Sequence, residues 1–255
     1  ANGAGQHLFA GRTAGNFGTQ VRRALIAFDI AGNVPAGMTI VDVSLSLHMS
    51  RTISGPQLIT LHRLTADWGE GSSDAPGEEG MGAPPEFFVD ATWIYMEFPF
   101  TQWATPGGDF ALTASSVQSI DAIGDYTWPS FPAAVADVQF WLDNPASNFG
   151  WILIGNEGIL STTKRFDTRE NPIEANRPTL TIEFGEAQNV CMSCPGDSDG
   201  NHSVNGADIQ GWIDCMIAGD ANACPCADMD DNQALEFEED TPMFVERLLE
   251  SPPCQ

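Results

Sequence analysis

IVDVSLSLHM, residues Ile40 to Met49, carries the alternating pattern from which the fold class of most of this chain can be predicted. Apolar side chains recur at Val43, Leu45, Leu47 and Met49, and polar side chains lie between them. A period of two places one face of an extended strand in a core and the other in solvent, which is typical of an antiparallel sheet. The stretch therefore predicts a half-buried β-strand.

Further short runs with β character lie on both sides of this stretch. Gly and Pro recur too often between residues 32 and 108 for long helices to form there. Regular short strands of this kind are typical of a β-sandwich or jelly roll, and we predict one such domain over residues 1–187. The predicted strands include Ala24–Phe28, Gln57–His62, Phe87–Phe100, Gly150–Ile154 and Thr179–Phe184.

One helix is predicted within this domain, from Pro132 to Leu142. Its apolar residues, among them Val138 and Trp141, recur at helical spacing, and Pro132 suits a first helical turn. Ser130 is the predicted cap. A single helix among many strands keeps the prediction at a mainly β fold.

Two acidic stretches near the C-terminus have the spacing of calcium-binding loops. In DSDGNHSVNGAD, which starts at Asp197, side-chain oxygens fall at positions 1, 3, 5, 9 and 12 and a backbone carbonyl falls at position 7. DMDDNQALEFEE, which starts at Asp228, repeats this pattern, so the sequence predicts two Ca²⁺ ions. The predicted ligands are Asp197, Asp199, Asn201, Ser203 (carbonyl), Asn205 and Asp208, and Asp228, Asp230, Asn232, Ala234 (carbonyl), Glu236 and Glu239.

Both loops depart from the usual calcium-loop pattern. Position 6, usually Gly for a sharp turn, is His202 in the first loop and Gln233 in the second. In the second loop, Asp240 would replace Glu239 as the last ligand if the loop held one extra residue. The alternative interpretation of each stretch is a solvated acidic turn without an ion.

The chain is strongly acidic, with 35 acidic and 10 basic residues and a formal charge of −25. This charge argues against nucleic acid and anionic membranes as partners, whereas divalent cations and neutral surfaces remain compatible with it. The chain contains no transmembrane run, so we expect no membrane insertion, and it contains no hydrophobic signal segment. We therefore expect Ala1 to be a mature end left by cleavage of a leader, and the protein to be extracellular.

All six cysteines lie in the last quarter of the chain. An even set confined to a small calcium module predicts a disulfide-stapled module in an exported protein. Zinc bound through Cys191-x-x-Cys194 and Cys224-x-Cys226 is the alternative, although the second pair is tighter than the usual zinc spacing. The sequence does not select a pairing among the candidates Cys191, Cys194, Cys215, Cys224, Cys226 and Cys254.

A family resemblance is carried by KRFDTRENP, Lys164 to Pro172, which is followed by Arg177-Pro178 and the strand TLTIEF. This string resembles the signature of the DNRLRE family, and HLFAGR, RRALIAFDI, LTADWGEG, WATPGGDF and NFGWILIGNE extend the resemblance over nearly all of residues 1–187. The resemblance implies a generally non-catalytic β-sandwich from a secreted bacterial protein. Some relatives are similar to carbohydrate-binding modules that hold acidic polysaccharides such as alginate.

Two departures from this family affect the expected partners. Relatives usually carry an extended segment before the point where this chain begins, so we expect the sandwich to lack its first strand and to have an open sheet edge, which proteins either cover or use for pairing with another chain. An acidic polysaccharide also requires a basic face, yet residues 1–187 hold nine bases and 21 acids, a net charge of −12. Alginate binding would therefore need a locally basic patch or bridging calcium.

Residues 188–255 hold 14 acids and one base, a net charge of −13. Each calcium loop is followed by an apolar helical run, Ile209 to Ala218 and Met243 to Leu249, and Pro242 suits the start of the second run. This order of loop and helix resembles a dockerin module, an EF-hand-like fold, and Val204-Asn205 followed by Asp208 matches the end of a dockerin loop. The resemblance implies docking to a scaffold protein.

Five residues of the first domain are candidates for ligand binding. Trp103 and Trp128 lie beside turn residues and are expected to be the most exposed tryptophans, although core packing is the alternative for tryptophans in general. Arg165, Arg169 and Glu170 contact a ligand in one interpretation, and in the other the arginines pair with Asp167 and Glu170 to tie a loop to the sheet. No catalytic motif accompanies them.

The sequence therefore predicts a non-catalytic secreted bacterial protein for extracellular attachment or assembly. In one version the protein is a subunit of a calcium-dependent filament or surface layer that joins to itself through the open sheet edge or the calcium module. In the alternative version the sandwich binds a polysaccharide while the dockerin-like module docks to a scaffold.

Overall fold

The structure of the protein is a computed structural model that describes residues 1–15, 20–186, 194–201, 203–219, 221, 224–230, 232 and 234–250. The chain forms two compact units, residues 1–186 and 187–255, and each is considered by itself. The first unit consists mainly of antiparallel β-strands, and the second contains helices and loops. The prediction of a mainly β chain is confirmed.

The stretch IVDVSLSLHM lies within the longest strand of the first unit. Its inward side chains, including Val43, Leu45 and Leu47, are buried, as the alternation predicts. The strands of this unit are β1 (His7–Arg12), β2 (Val21–Arg22), β3 (Ala24–Ile26), β4 (Met38–Arg51), β5 (Gln57–Arg63), β6 (Tyr95–Glu97), β7 (Thr101–Gln102), β8 (Ser116–Ile120), β9 (Gly124–Trp128), β10 (Trp151–Ile154), β11 (Lys164–Asp167) and β12 (Thr179–Glu186), and helix α1 spans Pro132–Asp143.

Two antiparallel sheets form most of this unit. The larger sheet has the strand order β12-β4-β11-β1-β2, and β9 also pairs with β4. The smaller sheet has the order β3-β10-β5-β8. β4 therefore organises the larger sheet, because three other strands pair with it.

Both sheets contribute side chains to one hydrophobic core. Leu45 and Leu47 come from β4, and Ile59 and Leu61 come from β5 in the other sheet. All four are at most 1% exposed. The removal of this apolar surface from water is the main stabilising contribution to the unit.

Two local predictions about this unit are wrong. Ser130 does not cap α1, because its hydroxyl instead accepts the Val43 N–H at 3.1 Å, and the residue at the cap position is Phe131. The predicted strand Phe87–Phe100 is reduced to β6 and most of it is loop. Phe88 has a left-handed φ of 69° that a strand does not accommodate, and its ring stacks on Phe100 with 4.9 Å between centroids.

The second unit contains helices α2 (Asp208–Ala218) and α3 (Phe237–Glu250) among its described residues. Trp212 of α2 stacks on Phe244 of α3 with ring planes 6° apart, and both side chains lie in the small core of this unit. Pro242 lies inside α3 rather than at its start, since the helix begins at Phe237. None of the described helices in either unit has the length and apolar character needed to cross a membrane.

Cys215 and Cys224 form a disulfide in the second unit. Cys194 and Cys226 are also disulfide-bonded. The zinc alternative is therefore wrong for Cys194, Cys224 and Cys226, because zinc binds thiolates and these sulfurs are oxidised. Cys191 and Cys254 lie outside the described residues.

Helix α2 has two apolar faces rather than one. Trp212 is buried, whereas Ile209, Ile213 and Ile217 are 39%, 39% and 79% exposed. These three isoleucines recur every four residues and form a continuous stripe on the exposed side of the helix. We refer to them as the isoleucine stripe.

Candidate functional site

The first predicted calcium loop is closed by Asp208, the first residue of α2. Its Oδ1 atom accepts the N–H groups of Ser198 at 2.8 Å and Asp199 at 3.1 Å. Its Oδ2 atom accepts the Asn205 N–H at 2.8 Å. One buried carboxylate thus ties the start of the loop to its end.

The second loop is closed in the same way by Asp240, in the first turn of α3. Asp240 Oδ1 accepts the Met229 N–H and Oδ2 accepts the Glu236 N–H, each at 2.7 Å. Met229 follows Asp228 as Ser198 follows Asp197, so the two carboxylates have equivalent roles.

Of the two candidates for the last ligand of the second loop, Asp240 lies with Asp228 and Asp230, and Glu239 does not. Two residues lie between Asn205 and Asp208, whereas three lie between Glu236 and Asp240, so the second loop holds one extra residue. That residue rotates Glu239 out of the loop, where it is exposed, and rotates Asp240 into it, where it is fully buried.

The turn at the start of each loop also repeats. The Asn201 N–H donates to Oδ1 of Asp197 and of Asp199, both at 3.1 Å. The Asn232 N–H donates to the matching oxygens of the two aspartates that precede it, at 3.1 and 3.2 Å. The two loops thus share one hydrogen-bond pattern at an offset of 31 positions, from Asn201 to Asn232.

Each loop brings together three carboxylates that could hold a metal ion, namely Asp197, Asp199 and Asp208, and Asp228, Asp230 and Asp240. Within each group, one oxygen per residue lies within 4.8 Å of the other two. Two of the three carboxylates are buried in each group. Like charges this close repel each other strongly away from water, and a divalent cation removes that repulsion. The donor set fits a hard cation that prefers oxygen ligands.

The other predicted ligands lie in the loops but are hydrogen-bonded within them. Asn205 donates from Nδ2 to the Ser203 carbonyl at 3.1 Å. Asn232 Nδ2 lies 3.3 Å from a carboxylate oxygen of Glu236, and Asn232 Oδ1 accepts the Ala234 N–H at 2.9 Å. The structure therefore brings the aspartates together, while these residues stabilise the turn.

A groove of about 700 Å³ in the first unit contains three of the five candidate ligand-binding residues, Trp103, Arg169 and Glu170. Trp68 and Trp93 also line it, although the sequence did not single them out for this site. They come from distant parts of the chain, so no local spacing could reveal that they share a groove.

The two tryptophans expected to be exposed are buried. Trp103 is 5% exposed, and its Nε1–H donates to the Thr92 carbonyl at 2.9 Å. Trp128 is 1% exposed, and its Nε1–H donates to the Ile59 carbonyl at 2.9 Å. Both tryptophans therefore follow the alternative prediction of core packing. Each ring fills apolar space, and its single N–H donor is hydrogen-bonded to a backbone carbonyl.

Both candidate arginines, Arg165 and Arg169, form ion pairs with glutamates of the same unit. Arg165 pairs with Glu78 at 2.5 Å, and Arg169 pairs with Glu70 at 2.9 Å and Glu170 at 3.0 Å. Glu170 and then Glu70 raise the pKa of Arg169. The expected pairing of an arginine with Asp167 does not occur among the described ion pairs.

Asp167 instead takes part in a separate contact set. One of its oxygens lies 2.9 Å from His7 Nδ1, and the other accepts the Asn176 Nδ2–H at 3.0 Å. The KRFDTRENP string thus ties β1, β11 and the following loop together, which is a structural role.

Lys164 is fully buried and was not predicted to have a particular role. Its ammonium group donates to Thr52 Oγ1 and to the carbonyl oxygens of Ser54, Gly55 and Asp121, at 2.9 to 3.0 Å. Burial lowers its pKa. The only lysine of the chain therefore fastens β11 to two loops.

A comparison of the chain with protein-family models finds no match. A comparison with curated proteins finds no significant match either.

Proposed function

We propose that the protein is a secreted, non-catalytic bacterial protein for extracellular assembly or attachment, built from a DNRLRE-type β-sandwich or jelly roll and a dockerin-like calcium module. The repeated aspartate groups carry this proposal, because six carboxylates held close together in a small unit, four of them buried, call for cations. The Cys215–Cys224 disulfide supports an oxidising location outside the cell.

Calcium would act here as a folding ligand. Asp197, Asp199 and Asp208 would hold one ion, and Asp228, Asp230 and Asp240 the other. Ion binding supplies the folding free energy of a small module that has a net charge of −13 and few core residues. Two ions would also change the formal charge of the chain from −25 to −21 and weaken repulsion between copies.

The isoleucine stripe supports an attachment role for the second unit. Three exposed isoleucines in a row on one helix are more apolar surface than a solvated helix needs, and such stripes bind partner surfaces. A scaffold protein and another copy of the chain are the two partners that the proposal includes.

Polysaccharide binding is the second candidate function, and the groove favours it. Trp68 and Trp93, which are less buried than Trp103, line the groove together with Arg169 and Glu170. Aromatic rings stack on sugar faces, and paired charged groups hydrogen-bond sugar hydroxyls. Loss of glycan binding in a Trp93→Ala variant, with unchanged binding in a Trp141→Phe variant, would support this function.

Electron microscopy of the full chain with calcium and with EDTA tests the main proposal. We expect filaments, layers or other regular assemblies with calcium and dispersed particles in EDTA. A protein that stays dispersed in calcium at high concentration contradicts the assembly role. Assemblies that survive EDTA unchanged contradict the role of calcium in forming them.

A further inference from the structure

β12 is a long strand at an edge of the larger sheet. It spans Thr179–Glu186 and pairs with β4 on one side. Among the described residues no strand pairs with its other side. Its sequence TLTIEFGE contains no lysine and no proline, the residues that commonly protect an edge strand from pairing with another chain.

The apolar face of β12 is covered less well than that of its neighbour. Val43 and Leu45 of β4 are 2% and 1% exposed. Ile182 and Leu180, which lie opposite them, pack against the same core but are only partly buried. Phe184 is 42% exposed. The core is therefore incomplete along this edge.

The register of β4 shows which backbone groups of β12 point outward. The Val43 N–H donates to the Ser130 hydroxyl, which lies on the side of β4 away from β12. Because backbone groups alternate along a strand, the N–H and C=O groups of the next residue, Ser44, point toward β12. Ser44 lies opposite Thr181, and alternation then turns the N–H and C=O groups of Leu180 and Ile182 toward the open edge. Another extended strand offers backbone N–H and C=O groups at the same spacing as these edge groups of β12.

β12 is complementary to a second copy of itself. In an antiparallel pair centred on Ile182, Leu180 of one copy lies opposite Phe184 of the other, so apolar residues meet. In the same register Glu183 lies opposite Thr181, and Glu186 lies opposite Pro178. No acidic residue of one strand therefore faces an acidic residue of the other, although the chain has a charge of −25.

We propose that two copies of the chain join through antiparallel pairing of their β12 strands, which continues the larger sheet from one copy into the other. This inference rests on the proposed assembly function and specifies the contact between copies, which we call the β12 joint. Such a pair is self-complementary and closes as a dimer. Growth into a filament then requires a second contact, for which the isoleucine stripe is available.

Thr181 gives a test that leaves the core untouched, because its side chain is exposed and lies opposite Glu183 of the other copy in the proposed register. Thr181→Glu places like charges opposite each other twice per dimer, and Thr181→Lys places opposite charges there. We expect the dimer dissociation constant to rise about fivefold for the first variant and to fall by about the same factor for the second. Sedimentation equilibrium of the full chain in calcium measures both against the monomer mass of 27.4 kDa.

Thr127→Glu and Thr127→Lys are the matched controls, since Thr127 is an exposed threonine on β9 of the same sheet. We expect both controls to dimerise as the unmodified chain does. Thr181 variants that behave like the Thr127 variants, in a protein that still assembles with calcium, overturn the β12 joint and leave the assembly function standing. A chain that remains a monomer and forms no assembly in calcium overturns both.

Discussion

Trp212 stacks on Phe244 with 4.7 Å between ring centroids and 6° between ring planes, and this contact joins the two helices that follow the two acidic loops. The acid that closes each loop lies in the first turn of the following helix, with Asp208 as the first residue of α2 and Asp240 as the fourth residue of α3. An ion bound in either loop would therefore orient one half of the same aromatic pair, and we expect the two loops to fold as one cooperative unit.

Phe244→Ala should destabilise the second unit. Removal of a buried phenylalanine ring costs about 3–5 kcal/mol, which is a large part of the stability of a domain this small. Urea unfolding in saturating calcium, followed by amide exchange in residues 194–250, measures the loss. Phe237→Ala in the same helix is the control, because Phe237 is 68% exposed and its loss should change the free energy of unfolding by less than about 0.5 kcal/mol.

Asp240 rather than Glu239 should determine calcium affinity in the second loop. Asp240→Asn removes a buried carboxylate that faces two others, so we expect one of two sites to weaken about tenfold or more in titration calorimetry. Glu239→Gln removes the same charge from an exposed position and should change affinity less than about twofold. Equal effects of the two substitutions would contradict the assignment of Asp240 as the closing ligand.

Lys164→Met should destabilise the first unit by about 3 kcal/mol, because three carbonyl oxygens and one hydroxyl around the buried ammonium group lose their donor. Thermal unfolding of the full chain, followed by the near-ultraviolet signal of the first-unit tryptophans, measures the change. Arg51→Met on β4 removes a half-exposed cation and serves as the control. A Lys164 variant as stable as the Arg51 variant would show that the ammonium contacts contribute little.

Glu78 should make the first unit slightly more stable at neutral pH than in acid. Its carboxylate pairs with Arg51 at 2.6 Å and with Arg165 at 2.5 Å, and these arginines, Arg51 first, lower its pKa below 4.5. A lowered folded-state pKa gives stability that is present above pH 4.5 and is lost as the pH falls through the folded-state pKa.

The comparison variant for this effect is Glu78→Gln. We expect a lower unfolding temperature than that of the unmodified chain at pH 7, and no difference once the pH lies below the folded-state pKa of Glu78. The difference should be small and should shrink in high salt, because the carboxylate is exposed. A difference that is constant from pH 7 to pH 3 would rule out the ion pairs as its cause.

Sequence patterns predicted those elements of the fold whose apolar residues follow one clear periodicity, either that of a strand or that of a helix. The alternation in IVDVSLSLHM predicted β4, and the helical spacing after Pro132 predicted α1. The predicted strand over residues 87–100 was wrong, because aromatic residues there pack against one another in a loop, edge to face or stacked, instead of alternating across a sheet. Apolar composition alone does not distinguish these outcomes.

The sequence by itself determined the positions of the acidic loops, because the spacing of their oxygens is a local property of a few neighbouring residues. Only the tertiary structure decided between Glu239 and Asp240, since the start of α3 sets which carboxylate turns inward. It likewise buried Trp103 and Trp128, and among the described residues it left the outer edge of β12 without a paired strand. Burial and strand pairing depend on residues far apart in the chain, so no local pattern contains them.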